Sequence, residues 1–94
     1  MRDYVVEQYA ANLSEDDFAD VTASLRRVTV ALASRGAEVF YLGGLFVPED
    51  EVCFHVFRGA SARVVRDAST KAGLAFQRVL EAVAEVGARG GDSE

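Results

Sequence analysis

The chain of 94 residues has one cysteine, one proline, one histidine and no tryptophan. The single cysteine, Cys53, excludes an intrachain disulfide and a thiolate metal cluster held by one chain. No apolar run approaches the ~18 residues that a membrane-spanning helix needs, and Met1-Arg2-Asp3 leads into a short apolar run rather than a signal-peptide core. We therefore expect a cytoplasmic protein in a reducing setting, with no membrane partner.

Positive charge is also scarce. Ten basic residues face fifteen acidic ones, which gives a net charge of −5, and no stretch is rich in Lys or Arg. A nucleic-acid partner is not expected, because binding to a phosphate backbone needs clustered positive charge. RNA-recognition domains place a basic, Gly-containing signature on their third strand, whereas Glu49, Asp50 and Glu51 precede the corresponding aromatic residues here.

The length allows one domain, which we assign to residues 1–86. The polar, Gly-rich remainder, residues 87–94, is predicted to be a disordered tail. The chain is 50% hydrophobic and 27% charged, as in ordinary globular proteins. A domain of this size buries only part of its apolar surface, so oligomerisation is a common source of added stability.

Two segments have helix signals. Ser14 is a predicted N-cap with Asp17 three residues on, and Gly36 ends a stripe of apolar residues spaced by three and four. That stripe consists of Phe18, Val21, Leu25, Val28 and Leu32. Ser61 caps a second, shorter helix that runs to about Ala72, with Gly73 as its stop.

Four segments rich in β-branched and aromatic residues alternate with these helices. They are Tyr4 to Tyr9, Glu38 to Val47, Val52 to Arg58, and about Val79 to Val86. The last segment could also form a helix, because Ala and Glu are common in it. The glycine pair 43–44 predicts a bulge, a bend or a close approach to the backbone. The order predicts an α+β fold, the ferredoxin-like βαββαβ unit with a four-stranded antiparallel sheet.

Both faces of this sheet are apolar, whereas two helices cover only one. We assign to the helix side Val52, Phe54 and Val56 of strand three, Tyr4 and Val6 of strand one, and Leu80, Ala82 and Ala84 of strand four. The opposite side then carries Cys53, His55, Phe57, Val5, Glu7, Tyr9, Glu81 and Glu85. In strand two, Val39 and Tyr41 share one face, and Phe40, Leu42 and Phe46 share the other. An uncovered apolar face predicts a homodimer in which two sheets enclose a shared interior.

The candidate catalytic pair is His55 and Glu7, because strands one and three are central neighbours in a ferredoxin-like sheet. A carboxylate beside an imidazole can act as a general base, a metal-ligand pair or a hydrogen-bonding set. The alternative is a half-buried histidine whose nitrogens are satisfied by a glutamate or water. Arg58, at a strand end, is a candidate for holding an anionic group or for a surface salt bridge. The predicted ligand-binding residues are Tyr41, Cys53, Phe57, Tyr9 and Glu81, although Cys53 also fits an inert buried thiol and the tyrosines fit core positions.

Several segments resemble one known family: Tyr4-Val5-Val6-Glu7, Tyr41-Leu42-Gly43-Gly44, Val47-Pro48-Glu49-Asp50-Glu51-Val52, Ala72-Gly73-Leu74, and Arg78-Val79 with Glu81. The family consists of small, mostly actinobacterial, ferredoxin-like proteins of uncharacterised function. They are commonly described as nickel-binding after one relative that forms a dimeric α/β barrel. The resemblance implies that barrel and a nickel or other divalent-metal site. Nickel favours several imidazole nitrogens, so a site around His55 would need carboxylates such as Glu7.

Our leading functional hypothesis is a homodimer, with no cofactor, whose apolar interior binds a small hydrophobic or aromatic molecule. Glu7, His55 and Tyr41 would edge that interior. The alternatives are a cofactor-free enzyme of monooxygenase, cyclase or isomerase type that uses His55 and Glu7, a nickel-binding protein, and a purely structural or regulatory subunit.

Overall fold

A computed structural model describes residues 1–83 and 85. The chain forms, in order, β1 (Arg2–Tyr9), α1 (Glu15–Ala33), β2 (Val39–Val47), β3 (Val52–Gly59), α2 (Ala62–Lys71) and β4 (Arg78–Ala82). The strands form one antiparallel sheet in the order β2-β3-β1-β4. The predicted ferredoxin-like α+β fold is therefore confirmed. The tail predicted at residues 87–94, together with Ala84 and Val86, lies outside the described residues.

Helix α1 begins and ends as its sequence predicts. The Ser14 hydroxyl accepts a hydrogen bond from the Asp17 backbone N–H at 3.0 Å, and the Asp17 carboxylate accepts one from the Ser14 N–H at 3.1 Å. These bonds form a capping box and lower the pKa of Asp17. At the other end Gly36 has a φ of +92°, which allows the N–H of Ala37 to bond the carbonyl of Leu32.

Helix α2 uses the same two devices. Ser61 accepts a hydrogen bond from the backbone N–H of Val64 at 3.3 Å, and Gly73 has a φ of +78° just beyond the last turn. Within the described residues, neither α1 nor α2 is long and apolar enough to cross a bilayer.

Strand β3 faces the opposite way from our prediction. Cys53, His55 and Phe57 are buried under the helices, while Val52, Phe54 and Val56 lie on the uncovered face. The register explains the orientation, because His55 pairs with Val6 and Phe57 pairs with Tyr4, and both partners point into the core. The error arose because both residue sets are apolar apart from His55, and a polar side chain was assigned to the uncovered side.

A β-bulge changes the alternation of strand β2. The pairing with β3 passes from Tyr41–Phe57 directly to Gly43–Val56, so Leu42 is an extra residue. Gly43 has a φ of +149°, a conformation that favours glycine. The prediction of an irregularity at the glycine pair is confirmed. The prediction that Phe46 shares a face with Phe40 is wrong, since the bulge returns Phe46 to the helix side opposite Cys53.

Strand β4 is shorter than predicted and also has reversed faces. It ends at Ala82, and Val79 pairs with Val6 on the helix side. Leu80 therefore lies on the uncovered face beside Val5, and Glu81 pairs with Tyr4. Glu81 remains accessible because β4 is an edge strand, where its carboxylate binds Arg2 at 2.8 Å.

The core lies between the sheet and the two helices. Its buried cluster includes Tyr4, Val6, Leu25, Val39, Tyr41, Phe57, Val65, Ala68, Leu74 and Val79. The other side of the sheet is covered by no element of the described residues, as the sequence predicts. We call this side the open face. It is defined by Asp3, Val5, Glu7 and Tyr9 of β1, Phe40, Leu42, Gly43, Leu45 and Val47 of β2, Val52, Phe54, Val56 and Arg58 of β3, and Arg78, Leu80 and Ala82 of β4.

Candidate functional site

His55 lies in the centre of the core and is 0% exposed. Its Nδ1 is 2.9 Å from the Tyr41 hydroxyl, and its Nε2 is 3.0 Å from the Gln8 side-chain oxygen. An amide oxygen only accepts hydrogen bonds, so Nε2 carries the proton and donates it to Gln8. The Tyr41 hydroxyl then donates to Nδ1. Both ring nitrogens are thus occupied by protein partners, which is the usual condition of a buried polar group.

Burial determines the charge state of this network. It lowers the pKa of His55 to about 4 and raises the pKa of Tyr41 to about 12. Both groups are therefore uncharged at neutral pH, which is the state that their mutual hydrogen bond requires. A neutral imidazole with its one lone pair occupied is poorly suited to take a proton from a substrate or to bind a metal.

Aromatic and cationic groups of α1 cover the network. The Phe18 ring stacks on His55 at a centroid distance of 6.1 Å, and it lies tilted against the Phe46 ring at a centroid distance of 5.5 Å. The Arg26 guanidinium carbon lies 5.1 Å from the centroid of the Tyr41 ring, within the range of a cation–π contact. The contacts with Tyr41, Gln8 and Phe18 hold the fully buried His55 ring in one orientation, away from water.

The backbone at Gly44 passes close to this network. A β-carbon at this position would lie 2.7 Å from the Tyr41 hydroxyl oxygen and 3.0 Å from His55 Nδ1. The space is therefore filled by the hydrogen bond itself, and a side chain cannot enter without displacing one of its partners. The close approach predicted from the glycine pair is confirmed.

Replacing Gly44 with alanine is expected to lower the free energy of unfolding by about 1–3 kcal/mol, the usual range for overpacking a core. Urea denaturation at neutral pH measures this loss. The matched control is a double-mutant cycle with Tyr41→Phe, which removes the oxygen nearest the added methyl group. We expect the double variant to lose less than the sum of the single losses. Strict additivity would show that the methyl group does not act through this contact.

Glu7 does not join His55, so the predicted proximity of these two side chains is wrong. Glu7 pairs with Phe54 in the register and therefore points to the open face, whereas His55 points to the helices. The Glu7 carboxylate instead accepts a hydrogen bond from Arg78 Nε at 2.6 Å. Within residues 1–83 and 85, no group of three or more His, Cys, Asp or Glu side chains is arranged to hold a metal ion.

The remaining predicted site residues are distributed over three environments. Tyr41 belongs to the buried network, and Cys53 and Phe57 are fully buried under the helices. Burial raises the pKa of the Cys53 thiol, which fits the inert alternative. Tyr9 is exposed at the end of β1, and Glu81 is exposed on the edge strand. The structure therefore does not bring these five residues together on one surface.

The open face has a regular arrangement of side chains across the four strands. One row is entirely apolar and consists of the Leu42–Gly43 bulge, Val56, Val5 and Leu80. The row on one side contains Phe40, Arg58, Asp3 and Ala82, and the row on the other contains Leu45, Phe54, Glu7 and Arg78. Each flanking row has one ion pair, Arg58 with Asp3 at 2.9 Å and Arg78 with Glu7 at 2.6 Å.

A depression of about 540 Å³ lies in the open face beside the bulge. Its walls are the apolar side chains of Leu42, Leu45 and Val56, and the Arg58–Asp3 pair stands at its rim. Gly43 contributes to the floor, and a β-carbon there would meet no atom within 4 Å. The missing side chain and the bulged backbone therefore create a recess in a surface that would otherwise be flat.

Gln8 is the residue that sequence reasoning missed. Tyr4 and Val6 were assigned correctly to the helix side, and alternation along β1 places Gln8 on that side as well. A polar side chain at the third inward position of a strand is itself a signal that a buried polar partner lies nearby. Arg58 was predicted as an anion holder or a salt-bridge partner, and its ion pair with Asp3 confirms the second of these.

No protein-family model matches the chain, and no curated protein sequence matches it. Among solved structures, the chain is similar to SCO4226 from Streptomyces coelicolor A3(2), which is known from a crystal structure. The two have a TM-score of 0.72 and are 12% identical, over 89% of this chain and 99% of that chain. At this identity the similarity shows the fold alone, which an actinobacterial protein thus shares.

Proposed function

We propose that the chain binds a small apolar molecule in a chamber formed between the open faces of two copies. The observation that carries this proposal is the open face, where an apolar row crosses all four strands beside the recess at the bulge. Leu45 is 63% exposed on this face, and Phe40, Leu42 and Leu80 are each exposed by two-fifths or more. Contiguous exposed apolar side chains usually mark a binding surface.

The charges of the open face favour a second copy as its cover. Two acidic and two basic side chains stand on it, Asp3, Glu7, Arg58 and Arg78, and each is already paired with its opposite. The face is therefore neutral, although the chain has a net charge of −5. Two such faces can approach each other without net like-charge repulsion.

The recess favours a chamber over a dry interface. Apolar surfaces that serve only for pairing are packed as densely as a protein interior. Gly43 contributes no side chain to the recess. The recess has a volume of about 540 Å³, which lies within the range of small-molecule sites. Metal binding and acid–base catalysis by His55 have no comparable support, because its nitrogens are occupied and Glu7 lies on the other side of the sheet.

The substitution Leu45→Glu tests the proposal by placing a charge in the middle of the open face. We expect the wild type to have twice the monomer mass by light scattering after size-exclusion chromatography. It should also enhance the fluorescence of the neutral apolar dye N-phenyl-1-naphthylamine. The variant should be monomeric and bind the dye at least about tenfold more weakly, because burying an unpaired carboxylate is strongly unfavourable.

The matched control is Val30→Glu, which introduces the same charge at an apolar position of α1 that is 69% exposed. Val30 lies on the helix side of the molecule, so this variant should keep the wild-type mass and dye affinity. A monomeric wild type at micromolar concentration, or equal behaviour of the two variants, would contradict the proposal.

A further inference from the structure

We infer that the recess in the open face selects an amphipathic organic anion, an apolar body bearing one carboxylate-type group, and that Arg58 is the residue that recognises the charge. The inference rests on the proposed function and adds to it the chemical class of the ligand. It depends on the position of Arg58 at the rim of the recess and on the geometry of its ion pair.

The ion pair leaves the outer edge of the guanidinium available. Within the described residues, the Arg58 side chain donates a hydrogen bond from Nε to Asp3 Oδ1 at 2.9 Å. A guanidinium has five N–H donors, and its two terminal nitrogens form a separate parallel pair that matches the two oxygens of a carboxylate. Asp3 thus holds the plane of the guanidinium while the edge suited to a second anion is unused by that bond.

The Arg58 side chain is more accessible to solvent than the carboxylate that it pairs with. The Arg58 side chain is 52% exposed, whereas the Asp3 side chain is only 13% exposed because the guanidinium and the strand cover it. A molecule entering the recess therefore meets positive charge at the rim. The walls next to that rim are the aliphatic side chains of Leu42 and Val56. An apolar body against these walls places an attached anionic group beside Arg58.

Arg78 provides an internal comparison on the same face. It makes the same type of bond through Nε, to Glu7, and its side chain is 61% exposed. It does not line the recess, however, because it stands on β4 and the bulge lies on β2, at the other edge of the sheet. The two arginines therefore differ in position relative to the apolar walls rather than in exposure or pairing. That difference makes them a matched pair for an experiment.

The experiment compares two competitors of nearly equal shape, 2-naphthoate and 2-naphthamide, for displacement of N-phenyl-1-naphthylamine from the wild type. We expect naphthoate to displace the dye at a concentration at least about tenfold lower than naphthamide, the effect of one charge-assisted bidentate contact. Arg58→Gln should remove this preference by weakening naphthoate alone. Arg78→Gln should retain the preference.

The outcomes separate the two proposals. If the dye does not bind the wild type at all, the proposed function fails and the inference fails with it. If the dye binds but the wild type does not prefer naphthoate, or Arg78→Gln abolishes the preference as fully as Arg58→Gln, only the inference is overturned. Circular dichroism shows whether Arg58→Gln folds. If it does not, Arg58→Lys takes its place, because lysine keeps the charge but cannot form the bidentate contact, and an undiminished preference for naphthoate in that variant would overturn the inference.

Discussion

Replacing His55 with alanine is expected to lower the free energy of unfolding by about 3–5 kcal/mol at neutral pH. Two effects add. The substitution removes a fully buried ring and leaves a cavity beneath Phe18. It also leaves the Tyr41 hydroxyl and the Gln8 side-chain oxygen without the partner that each has at about 3 Å. Urea denaturation followed by circular dichroism measures the loss.

The matched control is Cys53→Ala on the same buried side of β3. Cys53 is also 0% exposed, but its side chain is smaller and makes no side-chain hydrogen bond within the described residues. We therefore expect a cost of about 1 kcal/mol. Under conditions where His55→Ala is folded, it should bind N-phenyl-1-naphthylamine like the wild type, because the recess lies on the other side of the sheet. A stable variant that has lost dye binding would instead place His55 in the binding site.

The wild type is expected to lose about 3 kcal/mol of stability through His55 alone as the pH falls from 6.5 to 4. Burial lowers the pKa of the folded imidazole to about 4, whereas its ordinary value is 6.5. The unfolded chain therefore takes up the proton first. The stabilisation is complete above pH 6.5 and is lost as the pH drops through this window, at about 1.4 kcal/mol for each unit of pKa difference.

The measurement is the free energy of unfolding of the wild type and of His55→Gln at intervals from pH 7 to pH 4. Carboxyl groups also begin to take up protons towards the lower end of this range. They are present in both proteins and cancel in the difference. The stability of the wild type relative to the variant should decline with falling pH. A difference that is independent of pH would show that folded His55 accepts a proton as readily as the unfolded chain does.

Much of the architecture is predictable from local signals. The capping box at Ser14 and Asp17 and the glycine stops after both helices each follow from residue types that strongly favour one local conformation. The orientation of β3 does not follow in the same way. Alternation indicates which residues share a face, but it does not indicate which face meets the helices when both sets are apolar.

The misassigned site has a single physical origin. The prediction puts His55 on the uncovered side because it assigns Val52, Phe54 and Val56 to the helix side. An imidazole is unfavourable in a core only when its nitrogens are isolated from hydrogen-bond partners. In the structure it is not isolated, since Gln8 and Tyr41 come from two other strands and satisfy both nitrogens. That satisfaction depends on the register of β1 and on the bulge in β2, which are properties of the assembled sheet. The open face itself was predicted, whereas its recess depends on the bulge geometry.

The neutrality of the open face determines how contact between two such faces should respond to charge and salt. Within the described residues the four charged side chains of the open face cancel, so two open faces carry no net charge against each other. Because each of these charges is paired within its own chain, contact between two open faces needs no ion pair between the chains. Salt should therefore affect such contact mainly by screening the net charge of −5 that each copy carries, and only weakly at the open face itself.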